Sequence, residues 1–299
     1  MQFSLLSRCL GHTGGVYDLI KISDREFLSA SGDRLVVSWN IDNPEHGNLI
    51  ARAADSIYAI CFLSDTNELL IGQAKGEIHV IDLSTNQEKK LLKINDKGVF
   101  SILENKLKNK IYVLGGDGVL SVLNSKDYSL IAKKKISTMK LRSVLFDEAS
   151  NKLYFGCGEG VVTVFDDDSM ELLLSNQISN NGFSINTMMD FSEEHIICGG
   201  RDAHLRWIQK GDLSIVDAVP AHNYAIYKIS FSPDKNLFAT ASRDKTLKIW
   251  DAKTKQIIQR IEQASDGHLN SVNTLLWMDD HTLISAGDDR SINIWRKNN

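Results

Sequence analysis

This chain of 299 residues has only 3 prolines and 20 glycines, which leaves no room for a collagen-like or low-complexity structure. No apolar run approaches the ~20 residues that a bilayer-spanning helix needs, so no membrane partner is expected. The opening stretch MQFSLLSRCLG lacks a basic head and a long apolar centre, which argues against a cleaved secretory signal. Cysteines are few: Cys9, Cys61, Cys157 and Cys198 lie far apart and form no CxxC pair. That usage fits small buried hydrophobes in a reducing, cytoplasmic setting better than a disulfide framework. The 8 histidines show no pairing with cysteine at zinc-ligand spacing. A P-loop, GxSxG and HExxH are all missing, as are carboxylates at calcium-loop spacing. No enzyme, cofactor or metal is therefore expected. The acidic run Asp166-Asp167-Asp168 reads as a solvated turn.

What remains is ordinary globular composition, 42% apolar and 24% charged, with a net charge of −4. That charge is unevenly spread. Residues 89–142 hold thirteen Lys and Arg against four Asp and Glu, a local balance of +9, so the rest of the chain carries −13.

The strongest signal is an internal repeat. ASRDKTLKIW (241–250) and SAGDDRSINIW, ending at Trp295, are plainly similar, and GDRLVVSW ends the same way at Trp39. Stepping by about 42 residues recovers KGEIHVI, DGVLSVL, EGVVTVF and DAHLRWI. The seven closing residues fall at 39, 81, 123, 165, 208, 250 and 295. Each unit alternates apolar and polar residues over short spans, as strands do. The sixth supplies IYKISF, LFATAS, TLKIW and QIIQRI around tight turns. Second strands recur as REFLSA, NELLIG, KIYVLG, KLYFGC, HIICGG and HTLISA. Helical segments are not evident.

Seven units of four strands predict an all-β chain: a seven-bladed β-propeller of four-stranded antiparallel blades, forming a single domain over 1–299. The last unit has three strands, while residues 3–10 form a strand with no unit of its own. That N-terminal strand is expected to complete the last blade from outside and close the ring.

The repeat resembles the WD-repeat (tryptophan–aspartate) propeller family. Gly11-His12, Ala221-His222 and Gly267-His268 match the family's Gly-His opening. Trp250-Asp251 is its literal ending, with Trp39-Asn40 and Trp295-Arg296 close to it. The resemblance implies a structural hydrogen-bond relay in three units: His12, Ser29, Asp33 and Trp39; His222, Thr240, Asp244 and Trp250; His268, Ser285, Asp289 and Trp295. A His, Ser and Asp together also suggest a hydrolase triad, but a set repeated three times in one register, each with a Trp donor, is architecture. In units two to five the His position is read as Ala53, Asn95, Ser137 and Asn181, and the Trp position as Ile81, Leu123, Phe165 and Ile208. Apolar packing is expected to replace the relay there.

Function on such a fold sits on its faces and channel. Each first strand opens on an apolar anchor: Val16, Ile57, Val99, Leu141, Ile185, Ile226 and Val272. The following residues, Tyr17, Tyr58, Phe100, Arg142, Asn186, Tyr227 and Asn273, are expected at the channel mouth. The family resemblance makes that mouth a partner-binding surface, and aromatics and Arg are the residues of binding hot spots. Residues before each turn acid should share the face: Gly32, Ala74, Gly116, Gly158, Arg201, Arg243 and Asp288. Arg201 and Arg243 would suit an acidic partner.

The expectation is a non-catalytic scaffold for a protein or peptide partner. The alternative is an adaptor in a nucleic-acid-associated complex, touching nucleic acid indirectly or through the basic sector. There Lys133, Lys134 and Lys135 fall on an outer strand and Lys106, Lys108 and Lys110 in a loop. Split in this way, they read more simply as a solvated edge that blocks strand pairing. A propeller enzyme is the third reading.

Overall fold

A computed structural model describes residues 2–298. They form seven four-stranded antiparallel sheets. The chain starts with β1 (Phe3–Cys9). Sheet one is then β2 (Val16–Lys21), β3 (Glu26–Ser31), β4 (Leu35–Asn40) and β5 (Asn43–Arg52). Sheet two is β6 (Ile57–Leu63), β7 (Glu68–Gln73), β8 (Glu77–Asp82) and β9 (Gln87–Lys93). Sheet three is β10 (Val99–Asn105), β11 (Lys110–Gly115), β12 (Val119–Asn124) and β13 (Leu130–Lys135). Sheet four is β14 (Leu141–Asp147), β15 (Lys152–Cys157), β16 (Val161–Asp166) and β17 (Leu172–Gln177). Sheet five is β18 (Ile185–Asp190), β19 (His195–Gly200), β20 (His204–Gln209) and β21 (Ile215–Pro220). Sheet six is β22 (Ile226–Phe231), β23 (Leu237–Ser242), β24 (Leu247–Asp251) and β25 (Ile257–Ile261). Sheet seven is β26 (Val272–Asp279), β27 (Thr282–Gly287) and β28 (Ile292–Lys297), with β1 as its fourth strand. Helix is confined, among the described residues, to single 3-10 turns at Asn180–Gly182 and Gln263–Ser265.

Burial explains the strand sequences. The second strands are buried almost throughout, as in β7 and β23, so they read as near-continuous apolar runs. The fourth strands are mostly exposed, as in β9 and β17, and can carry lysine and polar residues that discourage edge pairing. Between second and third strands, one turn residue of every sheet takes the left-handed region: Arg34, Gly76, Gly118, Gly160, Ala203, Lys245 and Arg290. At Gly118 only glycine fits, because a Cβ would lie 2.1 Å from the Ser137 carbonyl oxygen.

β1 runs antiparallel to β28, Phe3 opposite Lys297 and Cys9 opposite Ile292. The N-terminal strand thus completes the last blade, as its sequence implies. Phe3 packs edge-on against Trp277 (centroids 5.7 Å apart) in a cluster with Trp295 and Leu283.

The chain divides into two compact units. One takes the residues up to Gln73, His79–Leu91 and those from Tyr227 on; the other takes Ala74–Ile78 and Leu92–Ile226. Each has its own apolar clusters, such as Phe27, Trp39 and Ile294 in the first, and Tyr112, Phe155 and Phe165 in the second. All four cysteines are buried. Burial pushes the Cys9 and Cys198 thiols up to about 12 and Cys157 to about 11, which leaves little reactive thiolate.

Candidate partner-binding site

The seven apolar anchors are the first residues of β2, β6, β10, β14, β18, β22 and β26, and all are fully or almost fully buried. The residue after each is half-buried. The pairing register explains this. It skips one residue between Val16 and Asp18, Ile57 and Ala59, Val99 and Ser101, Leu141 and Ser143, Ile185 and Thr187, and Val272 and Thr274. Tyr17, Tyr58, Phe100, Arg142, Asn186 and Asn273 are thus the extra residues of β-bulges. A bulge takes a residue out of the ladder and re-aims its side chain, so six aromatic or polar groups are turned away from the sheet by one repeated device.

Within the first unit, the Tyr17 and Tyr58 rings meet edge to face, centroids 5.4 Å apart. A Cβ on Gly32 would come within 3.1 Å of the Tyr17 ring. Asn273 Nδ2 donates to the Val16 carbonyl at 3.1 Å and to Asp288 Oδ1 at 2.7 Å. Partial burial, then the charge of Asp288, raises the Tyr17 hydroxyl. Within the second unit, the Arg142 guanidinium sits 5.0 Å and the Lys140 ammonium 5.6 Å from the Phe100 centroid. Asn186 Nδ2 donates to the Ile226 carbonyl at 2.9 Å. Arg201 lies over Phe183 at 5.4 Å. Lys140 and Phe183 carried no sequence signal of their own; their proximity to the bulges is a tertiary fact. Tyr227 is half-buried and Arg243 is exposed.

The histidine sets around His12 and His268 share one geometry. His12 Nδ1 is 2.8 Å from Asp33 Oδ2 and its Nε2 is 2.8 Å from Ser29 Oγ. Trp39 Nε1 donates to that same Ser29 oxygen at 2.8 Å. His268 repeats this with Asp289, Ser285 and Trp295 at 2.8–3.0 Å. Burial would raise the Asp289 carboxyl, but the hydrogen bond and charge of His268, then the Leu269 N–H and Ser291, bring it down to about 2. The same opposition lowers Asp33. In the sixth sheet Trp250 Nε1 donates to Thr240 Oγ1 at 3.0 Å, and His222 is buried.

Two expectations about the remaining sheets need correction. Ser179, not Asn181, holds the His position in sheet five. Its N–H donates to the carbonyl of the left-handed turn residue, Gly160, as those of Asn95, Ser137 and His222 do to Gly76, Gly118 and Ala203. A two-residue slip before Ile185 hid this in the sequence. Nor does apolar packing alone replace the relay. Ser121 Oγ donates to Asn95 Oδ1 at 3.0 Å, Ser137 to Glu159 at 2.5 Å, and Ser179 to Asp202 at 3.0 Å. Asp202 also pairs with Arg206 at 2.6 Å. Reduced polar relays therefore persist.

The acidic run is also not a plain solvated turn. The Asp167 side chain is fully buried and pairs with Lys108 at 3.0 Å and Lys110 at 2.9 Å, while Tyr112 donates to it at 2.5 Å. Asp168 pairs with Lys108 at 2.7 Å. Burial opposes the Lys108 charge, but Asp168 and Asp167 outweigh it and raise its pKa. On β13, Lys133 donates to the Ile94 carbonyl at 2.6 Å, and Lys134 and Lys135 reach the carbonyls of Met170 and Asp117. Much of the basic sector is thus engaged within the chain. No group of three or more potential metal ligands occurs among the described residues.

The family model "WD domain, G-beta repeat" matches residues 3–40, 214–251 and 259–296. The WD40 beta propeller domain of Doa1 superposes on 99% of this chain and 97% of its own, with TM-score 0.88 and 16% identity. The fold is that of a seven-bladed β-propeller, and three stretches of the chain are similar to the WD-repeat family. Its relatives match over short stretches. Cell division cycle protein cdt2 of Schizosaccharomyces pombe is 40% identical over 79 residues, 25% of this chain and 16% of cdt2. Pre-mRNA-processing factor 17 of Homo sapiens is 34% identical over 73 residues, 23% and 12% of the two chains. A ribosome biogenesis protein WDR12 homolog of Nematostella vectensis is 28% identical over 116 residues, 30% and 28%. The match thus spans less than a third of each of these relatives.

Proposed function

We propose that this chain is a non-catalytic protein-interaction scaffold whose contact residues are those set out by the first-strand bulges. One observation carries the reading. The same bulge recurs in six sheets, and in each it turns out a Tyr, Phe, Arg or Asn rather than an aliphatic residue. A purely architectural bulge would leave that side chain's identity free. Large rings and Arg are the side chains that dominate binding energy at interfaces. The family supports an interaction role in general, and relatives named for ribosome biogenesis and pre-mRNA processing support a place in a multi-component assembly.

The test is affinity capture with quantitative mass spectrometry, wild type against Tyr58→Ala/Phe100→Ala. Both rings are half-buried, so the variant should stay folded, which its melting curve checks. The specifically captured proteins should be depleted about tenfold or more, as when hot-spot residues are removed. Equal recovery by a folded double variant would refute the assignment of these residues.

A further inference from the structure

The second unit concentrates positive charge around one ring. Arg142 and Lys140 both lie over Phe100, at 5.0 and 5.6 Å. Lys97 belongs to the same locus: a Cβ on Gly116 would be 2.8 Å from the Phe100 ring and 3.4 Å from Lys97 Cβ. Arg201 repeats the arrangement over Phe183 at 5.4 Å, at the end of the sheets where first strands start and second strands finish, since Ile185 pairs with Gly200. Lys97 and Lys140 are exposed.

The carboxylates at this end are turned to other work. Glu159 accepts from Ser137, Asp202 pairs with Arg206, and Asp117 Oδ1 accepts from the Val119 N–H. Asp96 is exposed and adjoins Lys97 in sequence. Lys140 and Arg201 are paired with no carboxylate among the described residues. The Arg142 charge, then partial burial, holds the Lys140 ammonium below the usual lysine range. Lys140 and Arg142 are thus like charges crowded over one ring. An anion arriving from outside would relieve that repulsion, and the aromatic faces already hold the Arg side chains in place to receive it.

Resting on the scaffold reading above, we propose that this locus docks an acidic peptide segment of a partner protein, its Asp or Glu carboxylates seated on Arg142, Lys140 and Arg201. Single-stranded nucleic acid is the poorer fit. It needs free aromatic faces for base stacking along a groove that follows its backbone, whereas the Phe100 ring is occupied by two cations. The neighbouring lysines that could extend such a groove, Lys133, Lys134 and Lys135, are drawn onto backbone carbonyls.

The experiment uses the full chain and two fluorescein-labelled probes, an oligo-glutamate peptide and an oligo-dT of matched charge, read by fluorescence anisotropy. The peptide should bind more tightly than oligo-dT. Lys140→Glu/Arg142→Glu should weaken peptide binding at least tenfold with an unchanged melting temperature. Arg142→Gln should fall between the two, and Ile131→Ala, on the exposed outer strand β13, should bind as wild type does. Tighter binding of oligo-dT, undetectable peptide binding, or peptide binding unaffected by charge reversal would each overturn the proposal. If the peptide fails to bind while Tyr58→Ala/Phe100→Ala still loses its captured proteins, the acidic-segment inference falls and the scaffold reading stands.

Discussion

The side-chain amide of Gln259 grips the backbone of Phe3 at both its polar groups: Oε1 accepts the Phe3 N–H at 2.6 Å and Nε2 donates to the Phe3 carbonyl at 2.8 Å. Residues 256 positions apart are thereby joined at the outer strand of the last blade. β1 is an edge strand whose ladder partner is β28, so this clamp and the burial of Phe3 hold its other side.

Gln259→Ala should therefore destabilise the fold by about 1–2 kcal/mol, since it leaves two partly buried backbone groups without partners. Melting should fall by a few degrees, and amide exchange should quicken first in residues 3–9. Gln259→Glu retains the acceptor and loses the donor, so it should be intermediate. Wild-type exchange in β1 of the Ala variant would show that the clamp contributes nothing.

The His268–Asp289 pair sets an acid limit. Asp289 is lowered to about 2 in the fold from an ordinary 3.8. A depressed carboxyl contributes stability that is present above the unfolded value and is lost as pH falls through the folded one. Urea unfolding should therefore show stability dropping between about pH 4 and pH 2, and Asp289→Asn should flatten that slope. At pH 7 Asp289→Ala and Asp33→Ala should each lower melting by several degrees, given ~1–3 kcal/mol for a broken buried polar contact. Unchanged melting in both variants would remove the relay's structural role.

Asp167 is the buried centre of a cluster with Lys108, Lys110 and Tyr112. Asp167→Ala leaves two partly buried ammonium groups without their shared anion and should cost on the order of 3 kcal/mol. Lys108→Met, which leaves Asp167 its bonds to Lys110 and Tyr112, should cost clearly less. Chemical denaturation of both variants decides it, and equal losses would mean that Lys108 is the essential partner.

Where the second sheet lacks a relay, a cavity of about 150 Å³ opens, lined in part by Ala53, Ile71 and Ile81. Ala53 and Ile81 occupy the positions that hold His12 and Trp39 in the first sheet, 41 and 42 residues earlier. Ile71→Ser alone should destabilise the fold and Ile81→Trp alone should gain little, because its indole N–H would lack an acceptor. Together they recreate the Trp39–Ser29 contact, so the double variant should exceed the sum by about 1–3 kcal/mol. Additive melting shifts would mean that the missing residues do not account for the space.

Most of the fold was legible because its signals are periodic. The 42-residue step placed every first-strand anchor, and the surplus strand at residues 3–10 foretold its pairing with β28. The bulge residues were also readable, since each follows a buried anchor. Their surroundings were not. Lys140 lies two residues from Arg142 in sequence, and no pattern in the chain places both over Phe100 of the preceding sheet. Asp167 looked like one member of a solvated acidic run because its cations, Lys108 and Lys110, come from the preceding sheet. The slip from Ser179 to Asn181 had a plainer cause. The Asn180–Gly182 turn lengthens the approach to β18, and counting back from Ile185 then lands two residues late.

The most direct test of the contact surface is a photo-crosslinker placed at Phe100, with one at Ile131 on the exposed outer strand β13 as the comparison. If bulge residues form the contact surface, partner proteins will crosslink at position 100 and not at 131, and charge reversal at Lys140 and Arg142 will reduce the yield. Crosslinking at 131 with none at 100 would contradict the account.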